Sequence, residues 1–108
     1  MSERILKVNE ALRKEIAFII ERDLEIINVL ITITDVDCAP DLKGAKVWVS
    51  ILPENKMGSA IKQLRKNSGF IRSKLGKKIK MRQMPKLHFV IDDTEKHAAE
   101  IERIIFDL

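Results

Sequence analysis

Ile5, Val8, Leu12, Ile16, Ile19 and Ile20 recur at three- and four-residue spacing. They draw one apolar stripe along a helix from Glu3 to about Arg22. Ser2 stands before it as a candidate N-cap, and Arg4, Lys7, Glu10, Arg13 and Lys14 lie off the stripe. The pattern then changes. Residues 29–38, VLITITDVDC, are rich in β-branched side chains and read as a strand with an acidic end. Ile31, Ile33, Asp35 and Asp37 share one parity; Leu30, Thr32, Thr34, Val36 and Cys38 share the other. Turn residues follow at Ala39 to Gly44. In the next segment, Ala45 to Leu52, Val47, Val49 and Ile51 alternate against Lys46, Trp48 and Ser50. Two strands with so short a connection predict an antiparallel hairpin, and Pro53 ends it.

Beyond the hairpin the helical period returns. A helix is expected to start near Ser59, with Ile61 and Leu64 as its apolar face. Asn67-Ser68-Gly69 interrupts it, and Ile71, Leu75 and Ile79 then repeat every four residues up to about Lys80. One kinked helix or two helices fit this spacing. Two helices meeting at a corner are favoured, because Asn, Ser and Gly are weak helix formers and Gly tolerates φ values that other residues avoid. Leu87 to Ile91 reads as a third strand. Asp92-Asp93-Thr94 then caps a last helix from about Glu95 to Phe106, with Ala98, Ile101, Ile104 and Ile105 inward. The order α-β-β-α-α-β-α predicts an α+β fold, a three-stranded sheet with helices on one face.

The chain has 108 residues, 45% hydrophobic and 33% charged, as expected of a single folded domain spanning 1–108. Its apolar runs are far shorter than a membrane span requires, and its N-terminus lacks a signal-peptide pattern, so a cytoplasmic location is expected. One cysteine, Cys38, excludes an internal disulfide and reads as a buried structural thiol.

Charge alters the picture most. The window from Lys56 to Lys86 carries 11 of the 20 basic residues and none of the 16 acidic ones. The net charge of +4 therefore conceals a basic element on an acidic body. A short lysine run is usually a solvated helix face. Solvated helices, however, normally mix signs to gain i,i+4 pairs, so complete loss of Asp and Glu over this length points to a polyanion, nucleic acid foremost.

A further set of residues carries a family resemblance. Val8 to Ile16, Ile33-Thr34-Asp35-Val36, Pro40-Asp41-Leu42, Ala45 to Ser50, Ser68 to Lys77 and Pro85 to Phe89 occur in order over nearly the whole chain. Together they resemble the ribosome-binding factor A family, a type II KH-like domain followed here by one extra helix. No Gly-x-x-Gly clamp is present, since glycines stand only at 44, 58, 69 and 76. The family instead has an Ala-x-Gly corner between its two central helices. Here it reads Asn67-Ser68-Gly69, with Asn67 departing from the small apolar residue and offering an amide toward RNA.

The resemblance implies a monomeric, cytoplasmic assembly factor. It would bind the immature small ribosomal subunit and its rRNA, assist maturation of the RNA's 5′ region, leave through a ribosome-dependent GTPase and matter for growth in the cold. The RNA contacts expected at the helix–corner–helix are Lys62, Arg65, Lys66, Asn67, Ser68, Gly69, Arg72, Ser73, Lys77, Lys78, Lys80 and Arg82. The runner-up reading is a basic structural or adaptor protein that binds rRNA or an acidic protein. An amphipathic helix pair lying on anionic lipid is disfavoured, because the sheet needs those apolar faces.

Other chemistry finds little support. His88 and His97 lack a partner at a recognised metal spacing. Asp35, Asp37 and Asp41 are explained by a solvated strand face and a turn. No nucleophilic triad or phosphate-cradling loop is present. No enzyme, cofactor or metal is expected. Among the aromatic residues, Phe18 and Phe106 are assigned to core stripes. Trp48 is either exposed or folded over the helix side. Phe70 is assigned to the core, with base stacking as its alternative.

Overall fold

The computed structural model describes residues 3–93. Helix α1 (Glu3–Asp23) buries Leu12, Ile16, Ile19 and Ile20 along the expected stripe. Strands β1 (Leu30–Cys38) and β2 (Gly44–Leu52) form the expected antiparallel hairpin. A 3₁₀ turn at Glu54–Lys56 leads into α2 (Met57–Lys66), which meets α3 (Ser68–Lys78) at Asn67. Strand β3 (Lys86–Ile91) closes the described order. The expected cap at Ser2 and the last helix lie outside the described residues.

The three strands line up in the order β1-β2-β3. β3 runs parallel to β2, from Gly44 opposite Lys86 to Val49 opposite Ile91. A parallel partner requires a crossover, and α2 and α3 supply it. Among the described residues all three helices pack on one sheet face. There Val47, Val49 and Ile51 of β2 and Phe89 of β3 meet Leu12, Leu64, Ile71 and Leu75. These apolar side chains are almost wholly removed from water, each stabilising the fold by roughly 1.5–3 kcal/mol.

Four details differ from the sequence reading. First, β1 follows neither parity throughout. Ile33 points inward before Thr34, whereas Val36 and Cys38 point inward after it, because the pairing shifts by one residue between Ile33 and Asp35. Such a bulge lets both apolar sets reach one core, and the Thr34 hydroxyl donates to the Asp92 carboxylate. Second, α2 begins two residues before Ser59, because the 3₁₀ turn after Pro53 already winds the chain, with the Lys56 N–H donating to the Pro53 carbonyl at 3.1 Å. Third, α3 stops at Lys78, where Ile79 turns extended (φ −115°, ψ 121°) to keep its side chain against the core. Fourth, Phe18 is not a core residue. It is 48% exposed on the outer side of α1, with the Arg22 guanidinium 4.7 Å from its ring centre.

Candidate nucleic-acid interface

The acid-free window folds into α2, the corner, α3 and the approach to β3. The corner itself is made by Asn67 (φ −96°, ψ 10°). Its backbone N–H donates to the Gln63 carbonyl at 3.0 Å, and its side-chain Nδ2 donates to the same oxygen at 2.8 Å. The amide expected to face RNA is therefore turned back onto the end of α2. Gly69 was expected to supply the unusual conformation. It does not: no glycine in the described residues has positive φ, and Gly69 sits inside the first turn of α3. A Cβ built there would meet no atom within 4 Å, so the glycine keeps open space rather than relieving strain.

That space belongs to a groove of about 590 Å³ between the helices and β3, lined by Arg65, Ser68, Gly69, Arg72, Lys86, Leu87, His88, Phe89 and Val90. Two arginines brace it. Arg65 donates Nε and Nη2 to the Phe89 carbonyl at 3.2 and 3.1 Å. Arg72 donates the same pair to the Met84 carbonyl at 3.0 and 2.7 Å. A guanidinium has five N–H donors, so each arginine retains donors after fixing the wall. Rigidly held cations beside a side-chain-free helix turn suit a phosphate backbone, which needs charge and close approach more than base-edge reading.

Apart from Asn67 at the corner, the predicted residues divide into three groups. Arg65, Ser68, Gly69 and Arg72 share the groove. Lys62, Lys66, Ser73, Lys77 and Lys78 are exposed on α2 and α3 and lie outside this groove. Lys80 and Arg82 lie apart, around a second cavity of about 630 Å³ with Arg4, Ile5, Val8, Pro40, Leu42 and Met81. Leu42 lines it from a left-handed φ of 61°, its N–H bonded to the Ala39 carbonyl at 2.8 Å.

Lys86 and His88 belong to the groove and were not among the predicted contacts. Their signal was present: both occupy the outward parity of a strand whose inward residues are Leu87 and Phe89. Phe70, assigned to the core, is 42% exposed, with the Lys74 ammonium 5.6 Å from its ring centre. Trp48 is half-buried on the sheet face that the described helices leave open, 6.0 Å from the Lys46 ammonium.

The remaining candidates are structural. Cys38 is a free, buried thiol. Burial, helped by Asp37 and Asp41, pushes its pKa above the ordinary thiol value. Asp35 and Asp41 accept backbone N–H bonds from Val36 and Lys43 at 2.9 and 3.0 Å. Among the described residues no group of three or more His, Cys, Asp or Glu is arranged to hold a metal ion. No described helix is long and apolar enough to cross a membrane.

A family model described as Ribosome-binding factor A matches residues 4–105. The chain is 32% identical over 108 residues to ribosome-binding factor A of Akkermansia muciniphila, an alignment covering 100% of this chain and 86% of that one. Its fold is similar to the crystal structure of ribosome-binding factor A from Thermus thermophilus, with a TM-score of 0.73 at 23% identity over 81% of this chain and 93% of that one. A Thermus thermophilus ribosome-binding factor A homology model, fitted into a cryo-EM map of a 30S complex, aligns with a TM-score of 0.65 at 22% identity over 87% and 97%.

Proposed function

The chain belongs to the ribosome-binding factor A family, and on that premise we propose that it is a small-subunit assembly factor whose groove between α2, α3 and β3 docks ribosomal RNA. The observation that carries this reading is the groove itself. Arg65 and Arg72 flank it, Lys86 and His88 belong to its β3 wall, and no carboxylate lines it. The fitted 30S complex of the Thermus thermophilus relative supports the choice of partner.

In this reading the protein performs no catalysis and needs no cofactor or metal. It acts in the cytoplasm as a monomer. It holds precursor rRNA while the 5′ region matures, supports growth in the cold, and leaves with the help of a ribosome-associated GTPase. Phosphate charge and backbone shape dominate such binding, so affinity should fall steeply with salt.

The test is co-sedimentation of the full chain with precursor and mature small subunits, in parallel with 5′-end mapping of the RNA after depletion. Substoichiometric binding to precursor particles, weakened by Lys86→Glu, with unprocessed 5′ ends accumulating on depletion, is the expected result. Equimolar presence in mature subunits would instead identify a structural protein, and binding untouched by Lys86→Glu would place the RNA elsewhere.

A further inference from the structure

Three aromatic rings among the described residues reach solvent, and their surroundings differ. The Phe18 ring is covered by Arg22, whose guanidinium is itself tied to Asp23 by two bonds of 3.1 Å. Glu15 and Glu21 lie three residues to either side of Phe18. Trp48 sits opposite Asp35 in the strand pairing. Phe70 alone of the three lies in the acid-free window, with Lys74 one helical turn after it on α3 and Lys66 at the end of α2 across the corner. Lys74 stands beside the ring and makes no ion pair among the described residues. Asp23, whose carboxyl is held below its ordinary range chiefly by its hydrogen bond to Arg22 and to a lesser degree by Lys74 and Lys78, is already engaged by Arg22.

Position adds a second argument. Successive helical residues turn by about 100°. Around buried Ile71, Arg72 therefore projects to one flank of α3 and Phe70 to the other, with Gly69 outermost between them. Arg72 lies in the groove, and nothing stands within 4 Å of a Cβ at Gly69. A strand leaving the groove across Gly69 passes the small side chain of exposed Ser73 and comes to Phe70.

We infer that Phe70 is a stacking platform for an unpaired RNA base, with Lys74 taking the neighbouring phosphate. Phe18 and Trp48 do not share that role. The inference rests on the RNA-binding reading of the groove and adds to it a ring that recognises single-stranded rather than duplex RNA. An exposed phenyl ring beside a lysine ammonium is the arrangement that sequence-tolerant single-strand binders use.

The test measures binding of the full chain to an oligoadenylate of about ten nucleotides, within the usual span of a single-strand site, and to an abasic strand of equal length. Phe70→Leu should weaken oligoadenylate binding about fivefold or more, and Phe70→Trp should retain it. Phe18→Leu should stay within about twofold of the parent. Against the abasic strand, Phe70→Leu and parent should bind alike. The ring is partly exposed, so the melting temperatures should agree and folding will not confound the comparison.

An oligoadenylate affinity unchanged in Phe70→Leu overturns the inference, as does an equal loss on the abasic strand or in Phe18→Leu. So does a Phe70→Leu protein that binds RNA normally but small subunits poorly, because the ring would then face a protein. If the parent binds neither oligoadenylate nor small-subunit RNA, the groove reading falls as well. If the parent binds and only the Phe70 effect is missing, the groove reading stands.

Discussion

The Arg72 guanidinium grips the Met84 carbonyl through Nε and Nη2, at 3.0 and 2.7 Å. One side chain thus ties α3 to the segment that delivers Pro85 and β3. Arg72→Ala removes two charge-assisted bonds from a half-buried carbonyl. A loss on the order of 1.5–3 kcal/mol is expected in a urea titration, together with weaker RNA binding as the groove loosens. Lys cannot donate this planar pair, so Arg72→Lys should recover little of the stability.

Lys77 and Lys78 are exposed at the end of α3 and have no ion pair among the described residues. Lys77→Ala with Lys78→Ala should leave the melting temperature almost unchanged. If both touch phosphate, the slope of log affinity against log salt should flatten by about 0.7 for each phosphate no longer neutralised on single-stranded RNA. Measuring affinity at several salt concentrations separates this effect from the structural loss expected of Arg72→Ala.

Gly69→Ala should raise stability by as much as about 1 kcal/mol, since Gly is a poor helix former and the position has ordinary helical geometry. RNA affinity should fall, because the new methyl occupies groove space that is now open. Thermal melts and a gel shift on the same variant check the two opposed signs. A variant that is more stable and binds normally would show that RNA does not pass over this turn.

Asn67→Ala restores the small apolar residue of the family's corner but removes the Nδ2 bond to the Gln63 carbonyl. We expect a cost of about 0.5–1.5 kcal/mol in denaturant unfolding. Asn67→Asp leaves no side-chain N–H for that carbonyl and should fare no better, whereas a bond of no consequence would leave Asn67→Ala equal to the parent.

Cys38 supplies a pH signature. Its folded thiol pKa is raised by burial, so the native state retains a proton that the unfolded chain releases. The associated stability is complete below the unfolded thiol value of about 8.5 and is lost as pH rises through the folded one. Urea midpoints of the parent should therefore decline faster above the unfolded value than those of Cys38→Ala. Native protein should also resist iodoacetamide at neutral pH, and a chelator should leave its melting temperature unmoved.

Element types and their order were legible in the chain because periodicity is local. Ile5 to Ile20 can present one face only as a helix, and Val47, Val49 and Ile51 only as a strand. The acid-free window was equally plain, since charge is counted without coordinates. Phe18 was misassigned to the core although local geometry spoke against it: it stands two positions past Ile16, about 200° round the helix and away from the core. Tertiary structure decided what depends on residues distant in sequence. The bulge at Thr34 reconciles two apolar parities only once β2 is beside it. Arg65 and Arg72 look like free cations until β3 and its approach bring the Phe89 and Met84 carbonyls within reach. Lys86 and His88 join Gly69 in one groove, while Lys80 and Arg82 are carried to another cavity. Composition sets the sign of a surface, but the parallel placement of β3 beside β2, imposed by the α2–α3 crossover, determines which of its charges meet.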